Sequence, residues 1–593
     1  MKLALKSAVA VAALICLAAP AVARDTRFTD NPYGDYLIGK FAASQGDTET
    51  AARALMAAAD ADPANAGLRE RAFLAAVLGG DMDFAAKHLP ESGSRFSRNL
   101  GAQVKALDLV RTGRVKDAVT AIEASAKLDA NDRTTLLLKP LIYAEAKQWD
   151  KAIDNGLIAE LSPESASKRD RLVVFLQAAN QARLLELKGR NADAESVYKL
   201  ICQPGPANVL FGPYYASFLE RRGRKDEARK IYTDILSVSE DRLVRHQLET
   251  LDARGYRKPK KPTVRLIMAD SLFLSATLYA SEQQPEMALA TLRLSQFSSP
   301  ETPDATPTQD RSHLLAGQVL VRMRDTQAAQ EEWAAIEPDS PFYQEAQLRA
   351  AWSLKEAEDL DGAFEIFTRL NAANPKDADI AVERARILWE KDDTAGAIRL
   401  MDDYVAQYGD GAFTWQSWFT LAVLHQASGD WEKTKVAAKK GLELQPDSPE
   451  LLNLLGYGMI DRNENLPEGV AMVRKALDKS PRSGAIMDSL GWGYFKQGDN
   501  DQALLWIERA IALQPADPEI NEHLGDVYKA MGRDIEAKFQ WARVLTLEAD
   551  DKQKASVTAK ISAADKLEAQ KLAEADAVKP TPKPVAKPVI KTK

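Results

Sequence analysis

Between Met487 and Val544 the chain repeats itself. Leu490, Gly491 and Tyr494 are followed by Ala503, Ile507 and Ala510, and Pro515 closes the segment. Thirty-four residues on, the same order of sizes returns as Leu524, Gly525, Tyr528, Ala537, Trp541 and Val544. Upstream, Trp418, Leu421, Ala422, Ala438, Gly441 and Pro446 fit the same template. The spacing describes a pair of packed helices. A small residue at the eighth position lets the first helix approach the second, and a small residue at the twentieth gives the second its matching notch. The large residue at the twenty-fourth fills the space between them. Proline at the thirty-second stops the second helix and sets the turn into the next unit.

The notch positions can be followed along the whole chain. Ala51, Ala85, Ala118 and Ala152 lie 34, 33 and 34 residues apart. Ala194, Ala228, Ala288, Ala329, Ala363, Ala397, Thr434, Gly469, Ala503 and Ala537 continue the series. These positions make fourteen traceable units, and the gap of 60 before Ala288 leaves room for one degenerate extra pair around Glu240 to Arg254. The chain thereby resembles the tetratricopeptide-repeat (TPR) family, whose unit is a 34-residue helix–turn–helix. The resemblance implies an all-α fold, a right-handed superhelical solenoid of tandem helix pairs. That architecture suits the length. A single compact core cannot grow to 593 residues, whereas in a solenoid each unit packs only on its neighbours. Aromatic residues are only 7% of the chain and alanine is abundant, as closely packed helix pairs require.

Residues 1–23 read as a signal peptide. Lys2 and Lys6 precede an apolar run from Ala8 to Ala19, and Ala21-Val22-Ala23 is a small-x-small cleavage site. The run is too short to span a bilayer, and no other run reads as a transmembrane span. Ile15 before Cys16 spoils a lipidation signal, so the expected product is soluble and periplasmic rather than an outer-membrane lipoprotein. Cleavage removes two lysines and no acid, taking the net charge from −7 to −9, with no footprint for nucleic acid. It leaves one cysteine, Cys202, which reads as a small packing residue. The expected domains are an N-terminal array over 24–256, a Lys/Pro linker at 257–263, a C-terminal array over 264–550, a capping helix at 551–577 and a disordered Lys/Pro tail at 578–593.

Motifs for chemistry are missing from the sequence. There is no zinc-protease helix, phosphate loop or nucleophile elbow, and the five histidines are scattered without a recurring ligand partner. No catalytic residue, cofactor or metal is therefore expected. Glu519 and Glu522, one turn apart, read as a solvated helix face. What remains is surface. In the TPR family the first helix of each pair lines the concave side through positions two, five, nine, twelve and thirteen. Carried onto this sequence, the template marks Phe419, Gln426, Asn453, Tyr457, Asp461, Asp488, Trp492, Phe495, Lys496, Glu522, Asp526 and Lys529. Of these, Phe419, Tyr457, Asp461, Asp488, Trp492, Phe495, Lys496 and Asp526 are the expected partner-binding set, because aromatics among charges serve as anchors in protein interfaces. The competing reading packs Tyr457 and Trp492 between neighbouring repeats.

The run Ile486-Met487-Asp488-Ser489-Leu490-Gly491-Trp492, with Leu454-Leu455-Gly456-Tyr457 before it, is similar to large Gram-negative envelope TPR proteins. One group of these is the adaptor of the periplasmic carboxyl-terminal processing protease. That resemblance implies a non-catalytic scaffold that delivers envelope substrates to a protease. An alternative expectation is a structural component of an envelope assembly machine for polysaccharide export or secretion.

Overall fold

The computed structural model describes residues 31–154, 171–203, 206–300, 302–303 and 306–577. The expected signal peptide and Lys/Pro tail lie outside these residues. The described chain is all-helical, with thirty α-helices and no strand among the described residues. Its contacts divide it into two compact units, 1–366 and 367–593, with the division inside the helix Leu360–Ala373.

The first unit is an array of antiparallel helix pairs that the chain later returns to. Four early helices matter here: α1 (Ala66–Gly79), α2 (Arg95–Arg111), α3 (Arg133–Glu145) and α4 (Arg171–Leu187). After residues 257–263 come α5 (Val264–Ser281) and α6 (Pro285–Ser298), paired with each other. α5 packs on α3 and α4, and α6 packs on α1 and α2. Residues 257–263 lie inside the first of the two compact units. The packing of α5 and α6 is polar as well as apolar. Arg183 of α4 donates to Asp270 of α5 at 2.7 Å, and Asn180 donates to Ser271 at 2.8 Å. Thr308 donates to the other oxygen of Asp270 at 2.5 Å. Arg293 of α6 donates to the Leu78 carbonyl at 3.0 Å and binds Glu332.

α5 is 18 residues long with mean hydropathy 1.2, long and apolar enough to cross a membrane. The sequence reading of no further apolar span therefore missed it. The 72% of it that is buried lies inside the unit, and a helix packed on several sides is apolar nearly all round. Cys202 ends the helix Asn191–Ile201, and burial pushes its thiol up to about 12, as for a packing residue.

The second unit carries the clearest repeats. Its last three pairs are α7 (Pro449–Asp461) with α8 (Leu466–Lys479), α9 (Gly484–Lys496) with α10 (Asn500–Leu513), and α11 (Pro518–Ala530) with α12 (Asp534–Val544). α13 (Asp551–Ala577) then packs on α12. The starts are fixed locally. The Asp499 side chain accepts from the Gln502 amide, Asp517 accepts from the Glu519 and Ile520 amides, and Pro449 and Pro518 open their helices. Gly498, at φ +84°, takes the left-handed conformation that turns α9 into α10.

The packing matches the size pattern. A methyl group on Gly491 would lie 2.5 Å from Ile507 Cγ1 and 3.1 Å from the Ala503 carbonyl oxygen. Ala503 and Ile507 are fully buried, and Trp541 fills the space beside Gly525 in the next pair. At Gly456 the neighbour is the Gly469 carbonyl, so both helices have given up side chains to approach. At the end of the array Val557 and Ala564 of α13 join the core of the last pair, while its other face stays exposed.

Candidate protein-binding groove

The first helices α7, α9 and α11 stand side by side, and their curvature brings residues from all three together. Tyr457 of α7 donates its hydroxyl to Glu519 of α11, reaching across α9, two repeats on in sequence. Between them lie Trp492 and His523, stacked with ring centres 3.9 Å apart and planes 12° from parallel. Phe495 stacks on the other side of Trp492 at 4.8 Å, and Lys496 lies 5.1 Å over the indole. His523 Nδ1 is 2.8 Å from Asp488 Oδ2.

The electrostatics follow from this crowding. Burial alone would lower the His523 pKa, but the Asp488 carboxylate beside it raises it above the ordinary histidine value. Glu519 has its pKa raised, first by desolvation and further by the charges of Asp488 and Asp517. Its side chain is open to solvent, yet the concave surface surrounds it with protein. Tyr457 is also pushed up, by desolvation and then by Glu519.

The predicted residues are placed unequally. Asp461 is exposed, while Phe419, Tyr457, Phe495, Lys496 and Asp526 are half-buried. Trp492 and Asp488 are buried, at 7% and 4% exposure, so neither is an open anchor. Trp492 instead packs between repeats, because the inward curve of the array folds His523 of α11 over it. Phe419 leans into the core around Trp418 and Leu455. Asp526 accepts from Trp541 Nε1 at 3.0 Å and from Lys560 of α13 at 2.7 Å. Lys560 also binds Glu522 at 2.7 Å, so the capping helix takes up two residues the template gave to a partner. Lys496 donates to the Asp461 carbonyl at 3.1 Å.

The sequence reading took Glu519 for part of a solvated helix face and named no partner for His523. Glu519 stands at the template's second position, which was the available signal. His523 had none, since its partner lies one repeat away.

Phe495, Asp526, Lys529, Trp541, Lys560 and Leu567 border an open cleft of about 460 Å3 that extends this face under α13. The first unit has a larger cavity, about 1150 Å3, between its early helices and the returning chain. Its lining charges are of both signs, and Arg293 and Glu332 there already bind each other. Among the described residues no group of His, Cys, Asp and Glu could hold a metal ion.

Comparison with known proteins accords with the helix-pair geometry. A family model described as "TPR repeat" matches residues 493–532, and one described as "Tetratricopeptide repeat" matches residues 354–414. A TPR repeat-containing protein of Pseudomonas aeruginosa is 28% identical over 221 residues, 37% of this chain. The match spans 36% of that relative's length. Among solved structures, a tetratricopeptide repeat protein from Parabacteroides merdae is 15% identical, with a TM-score of 0.36 over 43% of this chain and 98% of that one. The APC/C hetero-tetramer Cut9-Hcn1 is 14% identical, with a TM-score of 0.35 over 90% of this chain and 96% of that one. Such repeats serve as protein–protein interaction scaffolds and are generally non-catalytic. The repeating helix pairs, and the family matches that fall on them, show that this chain carries tetratricopeptide repeats at residues 354–414 and 493–532.

Proposed function

We propose that the chain is exported to the periplasm and acts there as a non-catalytic adaptor that delivers envelope substrates to a protease. The observation that carries the binding role is the concave face of the second unit. There Tyr457, Asp461, Phe495 and Lys496 remain accessible around a stacked, hydrogen-bonded floor. A face of this kind offers aromatic area for grip and mixed charge for orientation. The export reading is supported by the charged start, short apolar run and Ala21-Val22-Ala23 of the sequence. The protease reading is supported by the resemblance of the 454–492 stretch to envelope TPR adaptors. Two compact units on one chain suit an adaptor: each holds one partner and raises its local concentration near the other.

Cross-linking in intact cells, followed by pull-down and identification of the captured proteins, tests this. The expected catch is a periplasmic protease together with envelope proteins that it degrades. A variant with Phe495→Ala and Lys496→Glu, checked for an unchanged circular dichroism spectrum, is expected to lose at least tenfold of that catch. A folded variant that still captures every wild-type partner would remove this face as the binding site. Capture of one permanent assembly component, with no protease, would replace the adaptor by a structural part of an envelope machine. A mature chain beginning at an acylated Cys16 in outer-membrane fractions would overturn the soluble placement.

A further inference from the structure

The chain as a whole is acidic, at −7, yet residues 221–265 hold fourteen lysines and arginines against seven aspartates and glutamates. The fold uses the two signs unequally. Arg221 binds Glu186 of α4 through two hydrogen bonds of 2.7 and 2.8 Å, and Arg224 binds Glu227 through two of 2.6 Å. Arg229 bridges Asp226 at 2.6 Å and Asp252 at 2.7 Å. Glu220 accepts from the Tyr232 and Tyr256 hydroxyls, each at 2.7 Å. These five carboxylates are therefore engaged inside the molecule. Arg222, Arg257 and Lys258 are exposed and, among the described residues, have no carboxylate within ion-pair reach.

The fold also gathers the cations. Beyond the helix Arg242–Asp252, residues 256–261 run back against the turn that joins the helices Pro206–Arg221 and Lys225–Leu236. The Lys260 carbonyl accepts from Arg221 at 3.5 Å, and Lys261 donates to the Glu186 carbonyl at 3.3 Å. Lys225 Nζ lies 3.4 Å from the centre of the Tyr256 ring. A methyl group on Gly223, in the turn itself, would lie 3.4 Å from Lys258 Nζ. Two separate stretches thus bring Arg222, Lys225, Arg257, Lys258, Lys260 and Lys261 to one junction. Pro259 and Pro262 restrain the backbone that presents them.

The chemistry of the junction selects its partner. Protein interfaces take most of their energy from aromatic anchors seated in pockets. The aromatic ring here, Tyr256, is covered by Lys225 and tied to Glu220, so it is no free anchor for a protein and no free platform for a base. What the junction offers is clustered positive charge. An anionic bilayer surface needs nothing else, because each lysine or arginine brought near it strengthens binding about fivefold. We propose that this junction of the first unit is a peripheral docking site for an anionic phospholipid surface, with Arg222, Arg257 and Lys258 facing the headgroup phosphates. The site is independent of the adaptor reading and concerns the first unit alone.

The test is co-sedimentation of the full chain with vesicles of equal parts phosphatidylcholine and phosphatidylglycerol, against vesicles of phosphatidylcholine alone. Binding is expected on the anionic vesicles and is expected to weaken as salt is raised. The apolar run at 8–19 and the five lysines of 578–593 also offer contacts to lipid, so variants locate the site. Arg222→Gln, Arg257→Gln, Lys258→Gln removes three charges outside the ion pairs of the fold, and should bind at least about tenfold more weakly. Arg222→Lys, Arg257→Lys, Lys258→Arg keeps the charge and should bind within about threefold of the unaltered chain. A chain with its five tail lysines changed to glutamine should do the same. Equal sedimentation with the two kinds of vesicle would overturn the proposal. So would a triple-glutamine chain that binds like the unaltered one, or loss of binding in the charge-keeping or tail variant. Binding of a polyglutamate peptide, lost in the triple-glutamine chain, with no binding to either vesicle would make an acidic polypeptide the occupant and overturn the lipid assignment.

Discussion

Trp492 decides between grip and packing, and its environment gives a magnitude. The residue is 7% exposed and lies between Phe495 at 4.8 Å and His523 at 3.9 Å. Truncating a buried tryptophan to alanine costs roughly 3–5 kcal/mol in transfer and cavity terms. One term opposes this. Indole Nε1 is buried without a hydrogen-bond partner among the described residues, and removing such a group relieves about 1–3 kcal/mol. Trp492→Ala should therefore destabilise the second unit by about 2 kcal/mol net. Trp492→Phe keeps a ring in the stack and removes the orphaned N–H, so it should cost under about 1 kcal/mol. Urea unfolding with hydrogen exchange measures both. Because each repeat leans on its neighbours, protection should fall first over residues 449–545. A Trp492→Ala protein with an unchanged unfolding midpoint and lost partner capture would refute the packing argument and restore Trp492 as an anchor.

Other perturbations test separate parts of the structure. Asp270→Ala leaves Arg183, 2% exposed at its side chain, without its carboxylate. The expected loss is about 3–5 kcal/mol, and early exchange of α5 against α3 and α4 would report it; full protection there would deny the lock its role. Ala503→Leu should overpack the α9–α10 crossing by about 1–3 kcal/mol, lowering the melting temperature of the second unit, since Ala503 is fully buried beside Gly491. The His523–Asp488 pair gives a pH dependence. Its histidine pKa is raised in the folded chain, so its stabilisation is complete below the unfolded value near pH 6.5 and is lost as pH rises through the folded value. The unfolding midpoint of the second unit should fall as pH rises above about 6.5, and His523→Gln should flatten the profile. An equally steep profile in the variant would assign the dependence to other groups.

The sequence by itself determined the repeat and its phase. A 34-residue period with small residues at fixed places is legible because each pair packs on its nearest neighbours, and local size complementarity is written in local sequence. Ala503, Gly491 and Trp541 sit where that logic puts them. The helix over Asp551–Ala577 was readable as a charged helical stretch beyond the last pair. What only the tertiary structure decided depends on curvature, which accumulates over several units and leaves no mark in any one of them. The turn that carries Glu519 to Tyr457 across α9 also buries Trp492 and pairs Asp488 with His523. The return of α5 and α6 onto α1 to α4 was equally hidden. It rests on pairs such as Arg183 with Asp270, 87 residues apart, and no periodic pattern encodes a contact made once.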